Sequence, residues 1–214
     1  MFIQTLFKSP VQFLMICVIL VFSICLHEFC HAWMAVREGD DGASEYMTLN
    51  PFRQMGFMSL LMMAIIGIAW GAVPVDVSRL RGRWSRLKVS LAGPAANLLL
   101  FLASAVIFFL VGLFSRRVPV SSEPAVVSLI TFIYLFGTYN FVLMTFNLIP
   151  APGLDGWNVA AELFPQIRQV SSEAVKGAML FLILLAFFGV SYLFLAGSRL
   201  MELAVRFGSL LGGA

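Results

Sequence analysis

The stretch Val11–Val36, VQFLMICVILVFSICLHEFCHAWMAV, decides how the chain is to be read. No charged residue occurs from Val11 to Leu26. At about 1.5 Å per residue a helix over this run spans the roughly 30 Å hydrocarbon core of a bilayer. Near its end come His27, Glu28 and His31, in the order His-Glu-Phe-Cys-His, and these are the 2 histidines of the whole chain. Ionisable groups are expensive at membrane depth, so their presence there is a sign of function.

Residues four apart on a helix stack on one face, so His27 and His31 can reach a single metal ion. Glu28 projects nearby without having to be a ligand. This is the HExxH geometry, in which the glutamate takes a proton from a zinc-activated water. Cys30 lies off the face shared by the histidines. Cys17, Cys25 and Cys30 form no CxxC pair and no disulfide framework.

Composition agrees with a membrane setting. Hydrophobic residues make up 60% of the chain and charged residues 12%, with mean hydropathy +0.94, which excludes a water-soluble domain. The 214 residues suit one membrane-embedded domain, with a catalytic core over about residues 8–160 and C-terminal helices over about 174–212. The net charge of +3 reflects clustering: Arg79, Arg81, Arg83, Arg86 and Lys88 read as a cytoplasmic loop, and nucleic acid is not an expected partner. The first apolar run is expected to be retained and not cleaved as a signal peptide, given its length and the motif at its end.

Four further apolar stretches follow, at Phe57–Val73, Leu87–Phe114, Ala125–Ile149 and Ala174–Ala196. All but Phe57–Val73 are long enough to cross. Gly67, Gly71 and Pro74 make that stretch suit a re-entrant element as well as a span, and Val73–Val77 alternates weakly, like a short strand. Arg116–Pro124 reads as a short connection. The tail from Ser198 reads as an amphipathic surface helix. The expected fold is therefore an all-α polytopic membrane protein, with a three-helix core, a re-entrant or strand-containing segment and an additional C-terminal transmembrane helix.

Two histidines do not complete a catalytic zinc site, which takes three protein ligands and one open position. Among the aspartates Asp40, Asp41, Asp76 and Asp155, only Asp155 follows a long apolar helix, in Asn147-Leu-Ile-Pro-Ala-Pro-Gly-Leu-Asp155-Gly156. Pro150 and Pro152 forbid a regular helix there, so unwound backbone lines a hydrated cavity beside the metal. Parity tests the idea. His31 and Asp155 must lie at one depth, which requires an even number of crossings between them. If Phe57–Val73 is re-entrant, two remain, and the basic run makes the site's face cytoplasmic with the N-terminus outside.

Together, HEFCH, Leu91-Ala-Gly-Pro-Ala-Ala-Asn97 and Asn147–Gly156 resemble the site-2 protease family of intramembrane zinc metalloproteases. The resemblance implies one Zn2+ held by His27, His31 and Asp155, with Glu28 as general base and proton donor. It implies that Asn147 stabilises the oxyanion or holds the substrate backbone, that Asn97 packs helices or binds substrate, and that Pro150 and Pro152 bind substrate. Its implied substrates are single-span membrane proteins in the lipid bilayer, with an upstream site-1-type protease as a partner. Gly153 and Trp157 depart from the family pattern. The chain is similar to the minimal branch without PDZ or CBS domains, which suits a bacterial cytoplasmic membrane. The alternative is a non-catalytic membrane metal-binding or transport protein using the same ligands.

Overall fold

In a computed structural model, residues 4–115, 122–169 and 171–213 are described. After the short α1 (Gln4–Lys8), the long α2 runs over Pro10–Arg37. Pro10 opens α2, where its missing N–H costs nothing, and Arg37 in the last turn complements the helix dipole. A 3-10 turn over Asp41–Tyr46 leads to α3 (Pro51–Gln54) and α4 (Gly56–Ile66). The remaining helices are α5 (Ser85–Phe114), α6 (Pro124–Asn147), α7 (Asp155–Leu163) and α8 (Ser172–Leu211). Helices α2, α5 and α6 are long and apolar enough to cross a membrane. Their outward faces expose Leu14, Val18, Phe22, Leu99, Val106 and Leu129, an apolar belt that water would not tolerate and lipid requires.

Helix α5 is the centre of the bundle and touches α2, α6, α7 and α8. Its buried stripe of Gly93, Asn97, Phe101, Ser104, Phe108 and Gly112 recurs at helical spacing and is rich in small side chains. Lipid supplies no hydrophobic drive between helices, so close backbone approach does the work. A Cβ at Gly112 would overlap the Val205 carbonyl of α8, and one at Gly208 would overlap the Phe109 carbonyl of α5. These contacts overturn the expectation of a separate surface helix after Ser198. Helix α8 is continuous over 40 residues, about 60 Å, and its last turns dock on α5. The side chains of 182–188, within the expected fourth span, and residues 116–121 of the expected connection lie outside the described residues.

The expected re-entrant or strand-containing segment is not borne out. Helix α4 has 11 residues, about 16 Å of rise, and so does not cross. It packs beside α2 and α6, where Met63 and Leu60 join Ile16, Leu20 and Ile24. Gly67, at φ 80°, ends it in the left-handed conformation that favours glycine. No strand occurs among the described residues. The chain beyond Gly67 is tied to side chains and to a helix end instead of to a partner strand. Ser59 Oγ accepts from the Trp70 N–H at 2.9 Å and donates to its carbonyl at 2.6 Å. The Gln54 carbonyl accepts from the Ala72 N–H at 3.1 Å, and Asp40 Oδ2 accepts from the Asp76 N–H at 2.8 Å.

Candidate metal centre

His27 and His31 sit near the end of α2, 5% and 7% exposed, with ring centroids 4.7 Å apart. Each ring is oriented from behind. His31 Nδ1–H donates to the Val89 carbonyl of α5 at 2.7 Å. His27 Nδ1 lies 2.5 Å from Asn97 Oδ1, to which it donates. In the neutral rings both Nε2 atoms are then lone-pair acceptors, and they lie 3.0 Å apart.

Asp155 arrives from the far side of the sequence. After α6 ends at Asn147, the chain turns through Pro150–Leu154, with Gly153 at φ 89°, a conformation strained for any L side chain. Glycine at 153, where the family pattern has another residue, is thus a demand of the turn. Gly156 passes beneath the Leu148 and Ile149 carbonyls with no room for a Cβ, which folds the first turn of α7 back against the end of α6. Asp155 opens α7, where the helix dipole favours a negative charge. Its Oδ2 lies 3.0 Å from His27 Nε2 and 3.2 Å from His31 Nε2.

Two imidazole Nε2 atoms and one carboxylate oxygen thus face one point. Ligands around a tetrahedral zinc at about 2.0–2.1 Å are separated by roughly 3.3 Å, close to what is found. His27, His31 and Asp155 can hold one metal ion. Space is cleared for it as well: a Cβ on Gly93 would collide with His31 Nε2 and come within 2.5 Å of His27 Nε2.

A cavity of about 540 Å³ opens beside these atoms. Glu28, 7% exposed, lies on it together with His27, His31, Asp155 and Asn147. One wall is the irregular segment through Gly71, Ala72, Val73 and Val75, continued by Val77 at the start of a 3-10 turn. Gly71 fits against the Glu28 carboxylate, where a Cβ would stand 2.7 Å from Oε1. The other wall is α7 through Trp157, Asn158 and Glu162, and Ser90 and Arg86 continue the lining toward the start of α5. There Glu38, just beyond α2, accepts from Lys88 Nζ at 2.8 Å and from Ser85 Oγ at 2.5 Å. These bonds, the Lys88 one foremost, hold its carboxyl below the usual glutamate value.

Not every expected site residue reaches the cavity. Asn97 is fully buried with both ends of its amide engaged, by His27 and by Asn140. It orients the His27 ring at the crossing of α2, α5 and α6. Pro150 and Pro152 shape the turn, and Gly153 is the residue of that turn that lines the cavity. Asn147 lies at the cavity with Nδ2 donating to the Leu143 carbonyl at 3.0 Å. Sequence reasoning missed Gly71, Asn140, Ser23 and the Val89 carbonyl. Polar Asn140 and Ser23 inside apolar helices were the available signal.

The family description Peptidase family M50 matches residues 15–190. Curated relatives include "Putative zinc metalloprotease YwhC" of Bacillus subtilis (strain 168), 30% identical over 77% of this chain and 77% of its own length. "Putative zinc metalloprotease Rip2" of Mycolicibacterium smegmatis is 35% identical over 76% of this chain and 62% of its own. The protein of the same name from Mycobacterium tuberculosis (strain H37Rv) is 30% identical over 79% and 68%. No solved structure matches. With a match that runs unbroken from the first long helix to well past Asp155, and relatives at this identity over three quarters of its length, the chain belongs to peptidase family M50, the site-2 protease family.

Proposed function

We propose that this metalloprotease uses zinc, held by His27, His31 and Asp155, to cleave membrane-spanning segments of other proteins within the bilayer. The observation that carries the reading is the placement of the Glu28 carboxylate on the same 540 Å³ cavity as the three ligand atoms. A scaffold that only bound metal would have no use for a second carboxylate beside the three ligand atoms. When bound, zinc supplies a Lewis acid that makes water nucleophilic near neutral pH.

The chain's own residues supply the rest. Glu28 accepts the proton of the attacking water and returns it to the leaving amine. Asn147 keeps an amide N–H beyond the one given to Leu143, and it hydrogen-bonds the developing oxyanion, a contribution worth about a hundredfold or more in rate. Ser90 and Arg86 admit water from the surface into a region that lipid would keep dry. The cavity equals a sphere roughly 10 Å across, no wider than a helix with its side chains at about 10–12 Å, and a helix holds its carbonyls in its own hydrogen bonds, so the substrate enters unwound. The wall from Gly71 to Val75 then bounds the unwound segment on the side that faces Glu28.

The site opens at the end of the bundle that carries Arg79 to Lys88. By the positive-inside rule that end is cytoplasmic and the N-terminus outside, in a bacterial cytoplasmic membrane. Single-span proteins, shortened beforehand by another protease, are the substrates that fit a cavity of this size. Purified protein should carry about one zinc per chain. Glu28→Gln should keep that zinc and lose at least about a thousandfold in cleavage of single-span substrates. Cleavage unchanged in Glu28→Gln would end the reading and favour metal binding without turnover.

A further inference from the structure

Behind His27 a chain of buried side chains crosses three helices. Ser23 on α2, Asn97 on α5 and Asn140 on α6 are all 0% exposed. Asn140 Nδ2 donates to the Phe136 carbonyl at 2.8 Å and to Ser23 Oγ at 3.0 Å. Asn140 Oδ1 accepts from Asn97 Nδ2 at 2.9 Å, and Asn97 Oδ1 faces His27 Nδ1 at 2.5 Å. Three packed apolar helices have no need of such groups, and a buried amide without partners would be costly.

The direction of this chain is dictated from one end. The Phe136 carbonyl can only accept, so Asn140 must turn its NH2 toward it and its oxygen toward Asn97. Asn97 must then give its NH2 to Asn140, which leaves its oxygen for His27. An oxygen there requires a proton on Nδ1, and the lone pair falls on Nε2, the atom that faces His31 and Asp155. Without this constraint the metal-free site would choose otherwise. A proton on Nε2 would be donated to Asp155 Oδ2, 3.0 Å away, and the ring would be blocked as a ligand.

We propose that Asn140 is a positioning residue which, acting through Asn97, keeps His27 in the Nδ1–H tautomer and so ready to bind metal. The proposal rests on His27 being a metal ligand, as inferred above. His31 needs no such device, because its Nδ1–H is held directly by the Val89 backbone carbonyl. Partners that fix a ligand's tautomer typically change metal affinity by about 10–100-fold.

The test uses the full chain in detergent or nanodiscs, labelled with 15N-histidine, with the two rings assigned by comparison with His31→Gln. In metal-free wild type, 15N shifts should report His27 protonated on Nδ1. Asn140→Leu removes the constraint, and His27 should move substantially to the Nε2–H form. Zinc affinity, read by chelator competition, should fall at least about tenfold. Asn140→Thr can donate its hydroxyl to the carbonyl one turn back and accept from Asn97, and it should restore the wild-type tautomer and affinity to within about threefold. A His27 that carries its proton on Nε2 in wild type overturns the proposal, even if Asn140→Leu fails to fold. So does an affinity loss in Asn140→Leu with the tautomer unchanged, since packing alone would then explain it. Absence of cleavage in wild type would strike the peptidase reading and leave the tautomer and the zinc affinity standing.

Discussion

The two walls of the cavity are built on opposite plans. On the metal side, His27, Glu28, His31 and Asp155 project from α2 and α7, and their positions follow from helical spacing. On the other side, Gly71 to Asp76 form no regular element before a 3-10 turn opens at Val77, and the wall is backbone held in place by Ser59, Gln54 and Asp40. The first wall tolerates change outside a few positions but none at the atoms that meet. The second can be loosened from a distance. Substitutions on each side should therefore fail in different ways.

The largest effect is expected at Gly93. A Cβ there would occupy the space beside both Nε2 atoms, and α5 is too tightly packed on α2 to withdraw. Gly93→Ala should lower zinc affinity by about a hundredfold or more, the upper range for disturbed metal sites. Zinc retained at wild-type affinity would show that the helical wall has slack. Gly71→Ala strikes the facing wall. Its Cβ would press on the Glu28 carboxylate while touching no ligand, so zinc should stay bound and cleavage should fall about a hundredfold, the usual result of displacing a catalytic group by about 1 Å. Zinc lost along with activity would mean that the two walls are one unit.

Asp40→Ala reaches the same wall from outside the cavity. Its carboxylate, 1% exposed, accepts from the Gly42 and Asp76 N–H groups. Deleting it leaves two backbone donors without partners, at about 1–3 kcal/mol each where they stay buried. Zinc binding should be unchanged, proteolytic nicking within residues 67–80 should rise, and cleavage should drop about tenfold. Equal resistance to nicking in wild type and variant would remove Asp40 from this role.

The same contrast explains what was legible in the sequence. Lipid imposes about 20 apolar residues on any spanning helix, so α2, α5 and α6 stand out. A metal site needs its donors four apart on a face, which singles out His27 and His31. Asp155 emerged because few acidic residues were available and one followed a long helix. Nothing comparable marks the extended wall, because its supports are single polar residues scattered over the chain, each unremarkable alone. Asn97 was noticed without its partners, since spacing does not tell which neighbour a buried amide will face. The supposed strand at Val73–Val77 failed because alternation describes an extended chain as well as a paired one. The apolar run was expected to end at Ala196 and a surface helix to begin at Ser198, yet α8 runs through both, and Gly197 is the point of contact with Phe141 and Thr138 of α6. In a membrane bundle a small residue more often permits an approach than ends a helix.

The smallest expected effect lies where the two walls are joined to the surface, at Glu38. Lys88 and Ser85 lower its pKa in the folded protein, and its backbone carbonyl accepts from the Arg81 N–H at 3.0 Å. A carboxyl with a lowered folded pKa stabilises the fold fully above its ordinary value of 4.5. That stabilisation is lost as pH falls through the lower folded value, because the unfolded chain takes up the proton first. Glu38→Gln should therefore lower the unfolding temperature by a few degrees or less at pH 7, with the difference from wild type shrinking as the pH is taken below 4.5. The Lys88 partner is half exposed, so salt should shrink it too. A difference that instead persisted undiminished in acid would mean that Glu38 acts through its shape at the junction of α2 and α5, not through its charge.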